Sequence, residues 1–163
     1  MRTGAAATLL SVAKTSGRAA EPYLIPGLSW CLELASDKDA VARDAATEAV
    51  NYIAAEVISP VSICKAMPEL LGALAFAKKW QTKVLALQTL SNLTKSSPTK
   101  VQKETPSIMP AVTPCMNDSK AQVAEQAFTT MGDVCKVCGA HPPLSAPRHQ
   151  NRRLVARSTF SRW

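Results

Sequence analysis

The apolar positions of this chain recur with a period of about 40 to 42 residues. A first set surrounds three prolines that lie 42 residues apart. Its apolar members are spaced at i, i+4 and i+8, which is the spacing of one face of an α-helix. Each copy therefore begins with a predicted amphipathic helix that contains a proline. The columns of this set are Leu24, Ala66 and Ile108; Pro26, Pro68 and Pro110; Leu28, Leu70 and Val112; and Leu32, Leu74 and Met116.

A second helix is indicated in each copy by further apolar columns at offsets of 40 and 41 residues. These columns extend back to the segment near the N terminus, which is therefore predicted to be the second helix of an incomplete repeat. The alternative for residues 1–20, which hold no acidic residue, is an organelle transit peptide. The columns are Ala6, Ala46, Ala86 and Ala127; Leu10, Val50, Leu90 and Met131; and Ala13, Ile53, Leu93 and Val134.

Short polar turns separate the two predicted helices of each copy, and Ser-Pro pairs at 59–60 and 97–98 separate the copies. Two helices per period of about 40 residues are typical of the HEAT/armadillo class. We therefore predict an all-α, HEAT/armadillo-type α-solenoid of about three helix pairs plus a leading half repeat. The predicted helices are 5–16, 22–35, 40–58, 61–76, 80–95, 99–116 and 120–138.

The apolar columns stop after Cys138, so the predicted solenoid ends there. We divide the chain into a half repeat, three full repeats, and a basic tail that is rich in Pro, Arg and Ser and is predicted to be disordered. Because the pattern also begins in the middle of a repeat, the sequence has the pattern of a fragment. The divisions are 1–19, 20–59, 60–97, 98–138 and 139–163.

The composition of the chain argues against a membrane-spanning protein and against a secreted protein with a disulfide framework. The chain is 47% hydrophobic but 5% aromatic, so its core is built from Ala, Leu, Val and Ile, and no apolar run is long enough for a membrane span. The net charge of +7 is concentrated in 139–163, which holds five Arg and no acidic residue, so 1–138 has a net charge of +2. The odd number of cysteines, five, indicates reduced thiols in the cytoplasm and not a disulfide framework.

Candidate catalytic and metal chemistry is sparse. Both histidines, His141 and His149, fall in the tail, and no Ser, His and Asp set is placed to form a triad. Cys135 and Cys138 form a Cys-x-x-Cys motif, but their spacing also fits one helix face, so zinc or a redox pair is the weaker interpretation. We expect no catalytic residue, no metal, no cofactor and no small-molecule substrate.

Lys78, Lys79 and Lys83 form the most suggestive cluster, at the turn before the second helix of the middle repeat. They are candidates for contact with a phosphate backbone, whereas Trp80 is expected to be a core residue. The alternative for the lysines is a solvated turn. We also expect Asp37 and Arg43 to pair at the preceding turn, where Lys83 occupies the column of Arg43 in the next copy.

Several stretches resemble the N-terminal HEAT domain of translation elongation factor 3. The most specific is Lys-Lys-Trp-Gln-Thr-Lys-Val at 78–84. The others are Glu-Pro-Tyr-Leu-Ile-Pro at 21–26, the stretch at 35–46, Ile-Met-Pro at 108–110 and Cys-Met-Asn-Asp-Ser-Lys at 115–120. The resemblance covers about residues 20–138. That family is a multidomain ATPase of the ABC-F type, and this chain has no match to the motifs of its ATP-binding cassettes.

The resemblance implies a non-catalytic scaffold that docks on the ribosome during translation elongation. The implied partner is a ribosomal protein, rRNA or both, and the expected state is a cytoplasmic monomer with no membrane partner. Two alternatives stay open. One is the HEAT segment of a ribosome-associated activator of the kinase that senses amino-acid starvation. The other is a generic protein-binding HEAT adaptor.

Overall fold

The computed structural model describes residues 2–139, and all regular structure in this range is helical. Arg2–Ser16 forms α1, and a short 3-10 helix at Gly17–Ala20 leads into α2 at Glu21–Leu24. The longer helices that follow are α3, Leu28–Leu34; α4, Ala40–Tyr52; α5, Ile63–Phe76; α6, Trp80–Ser96; α7, Pro98–Met116; and α8, Ala121–Cys138. A π-helical turn at Ile53–Val57 extends α4. The predicted tail at 139–163 lies outside the described residues except for Gly139.

The helices stack in two layers. In the first layer α3 packs on α5 and α5 packs on α7, and in the second layer α1 packs on α4 and α6 packs on α8. The pairs α3 and α4, α5 and α6, and α7 and α8 join the two layers. The arrangement confirms the predicted α-solenoid of three helix pairs with a leading half repeat. Our division of the chain into repeats stays a prediction.

The core consists of the predicted apolar columns. The alanine column of the second layer is completely buried, so the helix backbones can approach one another closely there. Trp80, which was expected in the core, is partly buried and packs against its edge. Members of the core with no or almost no exposed surface include Ala46, Ala86, Ala127, Leu28, Leu70, Val112, Val50 and Leu90.

The prolines of the first layer are exposed, in contrast to the columns around them. The predicted helix 22–35 is interrupted at Pro26, where the backbone N–H groups of Gly27 and Leu28 bond to carbonyl oxygens three residues earlier and not four. Pro68 and Pro110 instead lie inside unbroken helices. Their missing hydrogen bonds fall on the side that faces solvent, where water can satisfy the unpaired carbonyl groups.

The helices of residues 2–139 can be compared with the length and hydropathy that a membrane span requires. None of them is both long enough and apolar enough to cross a bilayer.

Candidate interaction surface at the inter-helix turns

The turn between α3 and α4 is held by its own polar groups. The carboxylate of Asp39 accepts a hydrogen bond from the backbone N–H of Val41 at 3.1 Å, which caps α4. The guanidinium of Arg43 donates from Nη1 to the carbonyl oxygens of Asp37 and Lys38, each at 3.1 Å. The expected pairing of Asp37 with Arg43 therefore includes a bond to the main chain of Asp37.

Lys83 lies in the first turn of α6, and its ammonium reaches across to the next repeat. Nζ of Lys83 is 2.8 Å from Oδ2 of Asp118, and the two side chains are 25% and 15% exposed. The hydrogen bonds from Lys83 and from the backbone N–H of Lys120 hold the pKa of Asp118 below its usual range. Lys83 therefore joins the turns of two neighbouring repeats, and its charge is already matched within the chain.

Lys78 and Lys79 are adjacent, but only the ammonium of Lys79 has a hydrogen-bond partner among the residues that the structure describes. The ammonium of Lys79 donates to the carbonyl oxygen of Ser36 in the preceding repeat. Lys78 is exposed, and its ammonium has no hydrogen bond or ion pair to the residues that the structure describes. The three candidate lysines thus lie at one turn, but they do not form one free cluster of positive charge.

A groove beside this turn holds residues that the sequence reasoning missed. It lies between α3 and α5, and its lining includes Trp30, Phe76, Lys78 and Lys79. Phe76 is 85% exposed at the end of α5. The signal for Phe76 was present in the sequence, because it falls two positions after Leu74 and so lies off the buried column of that helix.

A second polar cluster joins α6 to α8. The carboxylate of Asp133, which is 12% exposed, accepts a hydrogen bond from Oγ of Ser91 at 2.7 Å and lies within 3.3 Å of the ammonium groups of Lys95 and Lys136. Burial opposes ionisation of Asp133, but the bonds from Ser91, Lys95 and Lys136 outweigh it and lower the pKa of the carboxyl. The cluster is another contact between repeats.

The cysteines in residues 2–139 are all free thiols. Burial raises the pKa of Cys31 to about 11, and burial also raises the pKa values of Cys115 and Cys135. A raised pKa leaves less thiolate, which is the form that binds metals and acts as a nucleophile. Within the described part of the chain, no three Cys, His, Asp or Glu side chains are grouped to hold a metal ion. His141 and His149 lie outside that part.

These features define a class: a helical repeat protein of the HEAT type, with polar contacts at its turns. The model of the EF3 N-terminal HEAT repeat matches residues 1–131. The chain therefore belongs to the family of elongation factor 3 N-terminal HEAT repeats, as its resemblance to that family predicted.

Similar proteins support this assignment. Elongation factor 3 of Phytophthora infestans is 40% identical over 119 residues, which is 73% of this chain and 11% of that protein. Elongation factor 3B of Saccharomyces cerevisiae is 32% identical over 111 residues, 68% of this chain and 10% of that protein. A protein named mRNA export factor elf1, of Schizosaccharomyces pombe, is 30% identical over 128 residues, 78% of this chain and 12% of that protein. The chain thus spans about a tenth of the length of these relatives.

Proposed function

We propose that this chain is a non-catalytic scaffold that docks on the ribosome during translation elongation, in the cytoplasm and as a monomer. The match to the elongation factor 3 HEAT family over residues 1–131 is the observation that carries this proposal. In such a role the solenoid supplies a rigid surface. Nucleotide hydrolysis would belong to other parts of the full-length relatives, because this chain matches only about a tenth of their length.

Lys78 is the residue of the proposed lysine contact that is best placed to meet a partner. The charge of Lys83 is matched by the carboxylate of Asp118. Lys79 keeps its charge, but its ammonium is held on the carbonyl oxygen of Ser36. Lys78 is exposed beside them. A phosphate of rRNA or an acidic side chain of a ribosomal protein would neutralise this charge with little rearrangement of the turn.

Ribosome co-sedimentation at several salt concentrations tests this proposal. The full chain should bind purified ribosomes. If Lys78 neutralises an rRNA phosphate, Lys78→Ala should flatten the slope of log affinity against log salt by about 0.7 to 0.9. The tail arginines must be replaced by glutamine in every sample, since they can bind RNA without specificity. These arginines are Arg148, Arg152, Arg153, Arg157 and Arg162.

The matched control is Lys38→Ala, which removes an exposed lysine from the preceding turn. It should leave the slope unchanged. Failure of the parent chain to co-sediment would contradict ribosome docking. An unchanged slope in Lys78→Ala would contradict the proposed phosphate contact and would favour contact with a protein.

A second candidate function is suggested by the relative that is named an mRNA export factor. The same HEAT fold would then act as an adaptor on messenger ribonucleoprotein. Capture of the chain's partners from an extract, with and without nuclease, distinguishes the two. Recovery of intact ribosomal subunits supports the first function, and recovery of mRNA-bound proteins without subunits supports the second. The starvation-kinase activator and the generic adaptor stay alternatives.

A further inference from the structure

A groove with an unusual lining runs between α3 and α5. Two adjoining depressions share Glu33 and Phe76, and together they form what we call the α3–α5 groove. Trp30 contributes a partly exposed indole, and Gly72 lies in the lining one helical turn before Phe76. The residues that matter for its chemistry are Trp30, Glu33, Glu69, Gly72, Phe76 and Lys78.

The aromatic side chains of this groove are the first indication of a ligand. Phe76 is 85% exposed, although Leu70 and Leu74 of the same helix are buried in the core. Single exposed apolar side chains are common on protein surfaces, whereas apolar side chains that share a groove rimmed by polar groups indicate an interaction site. Trp30 stands across from α5 on α3, so an inserted side chain would contact aromatic surface from both helices.

The charges of the groove indicate what kind of side chain would enter it. The carboxylates of Glu33 and Glu69 engage no cation among the residues that the structure describes. Within residues 2–139, no lysine or arginine lines the half of the groove that holds these carboxylates together with Phe76. Lys78 and Lys79 lie at the other end. Two unmatched carboxylates repel phosphate and attract a cation, which disfavours RNA in this half of the groove.

We propose that the α3–α5 groove binds a segment of a partner protein that carries an arginine beside an apolar side chain. A guanidinium is planar, stacks on aromatic rings and pairs with carboxylates, so it fits Trp30 or Phe76 together with Glu33 and Glu69. The apolar neighbour would cover the ring of Phe76 next to Gly72. This site goes beyond the proposed function, because it binds a protein segment and requires neither a ribosome nor a contact at Lys78.

Peptide titration of the ¹⁵N-labelled full chain, with the tail arginines replaced by glutamine as in the ribosome experiment, tests the proposal by NMR. The probe is a blocked Gly-Arg-Leu-Arg-Gly peptide, and the signals to follow are the indole N–H of Trp30 and the backbone N–H of Phe76. Both should shift and approach saturation at peptide concentrations up to about 10 mM. The double variant Glu33→Gln, Glu69→Gln and the variant Phe76→Ala should each weaken binding roughly fivefold or more.

Tyr23→Ala is the matched control, because Tyr23 is an aromatic residue that is 81% exposed on α2 and does not line the groove. It should leave the affinity unchanged. Absence of saturable shifts, equal binding of a Gly-Glu-Leu-Glu-Gly peptide, or full affinity in the double glutamine variant would each overturn the proposal. An oligouridine that shifts these signals more than the peptide would do the same. No ribosome is present, so the result is independent of ribosome docking.

Discussion

Lys78 and Lys83 lie five residues apart and have the same chemistry, yet the solenoid gives them different surroundings. Lys78 is exposed in the turn, whereas Lys83 is 25% exposed and paired with Asp118 of the next repeat. Loss of an exposed lysine changes stability little, but loss of Lys83 leaves a mostly buried carboxylate without its cation. Lysines of one sequence motif therefore have separate roles, one in binding and one in joining repeats.

Lys83→Ala should destabilise the chain by about 1 to 2 kcal/mol, less than a fully buried pair would cost because both partners keep some contact with water. Lys78→Ala should change the free energy of unfolding by no more than about 0.5 kcal/mol. Chemical denaturation followed by circular dichroism measures both. Equal effects of the two substitutions would show that the Lys83–Asp118 pair does not stabilise the folded chain. Replacing Lys78, Lys79 and Lys83 together by alanine would therefore change both the affinity for a partner and the stability of the chain, and the two effects could not be separated.

At the scale of the element, α7 is unusual because it contains three prolines in its interior. Pro106, Pro110 and Pro114 are spaced four residues apart, so they lie on one face, and all three are exposed. Each lacks the N–H that would bond to the carbonyl four residues earlier. The helix persists because its opposite face buries Val101, Ile108 and Val112. Tertiary packing thus overrides a local sequence that disfavours a helix.

Pro110→Ala should stabilise the chain by about 1 to 3 kcal/mol, because it restores a backbone hydrogen bond and removes the contact of the ring with the preceding turn. Pro98→Ala is the matched control. Pro98 is the first residue of α7, where the missing N–H would have no helical partner in any case. Thermal unfolding of both variants measures the difference. A lower melting temperature for Pro110→Ala than for the parent chain would contradict this account.

At the scale of the whole molecule, the apolar period predicted the solenoid because each column fills the same place in successive repeats. The exceptions have local causes, such as the break at Pro26 and the π-helical turn at Ile53–Val57. The surface was less predictable. Lys79 binds a carbonyl 43 residues earlier and Lys83 binds a carboxylate 35 residues later, and such pairings depend on how the repeats stack. The groove between Trp30 and Phe76 also depends on how the repeats stack, because its two sides belong to different repeats.

The contacts between the second and third repeats also make the stability of the whole molecule depend on acid. Asp118 and Asp133 both have a pKa below the usual value near 3.8 in the folded chain. The unfolded chain therefore binds more protons than the folded chain in this range, and stability rises with pH there. The contribution of these carboxylates is complete above the unfolded pKa. It is lost as the pH falls from about 5 through the lower folded pKa values.

The free energy of unfolding, measured with urea at a series of pH values, should therefore decrease as the pH falls below about 5. The double variant Asp118→Asn, Asp133→Asn should be less stable than the parent chain at neutral pH, and its stability should fall less steeply in acid. Glu125→Gln removes an exposed negative charge from α8 and serves as the comparison. If the parent chain and the double variant lose stability in parallel between about pH 5 and pH 2, these two carboxylates are not what joins the repeats.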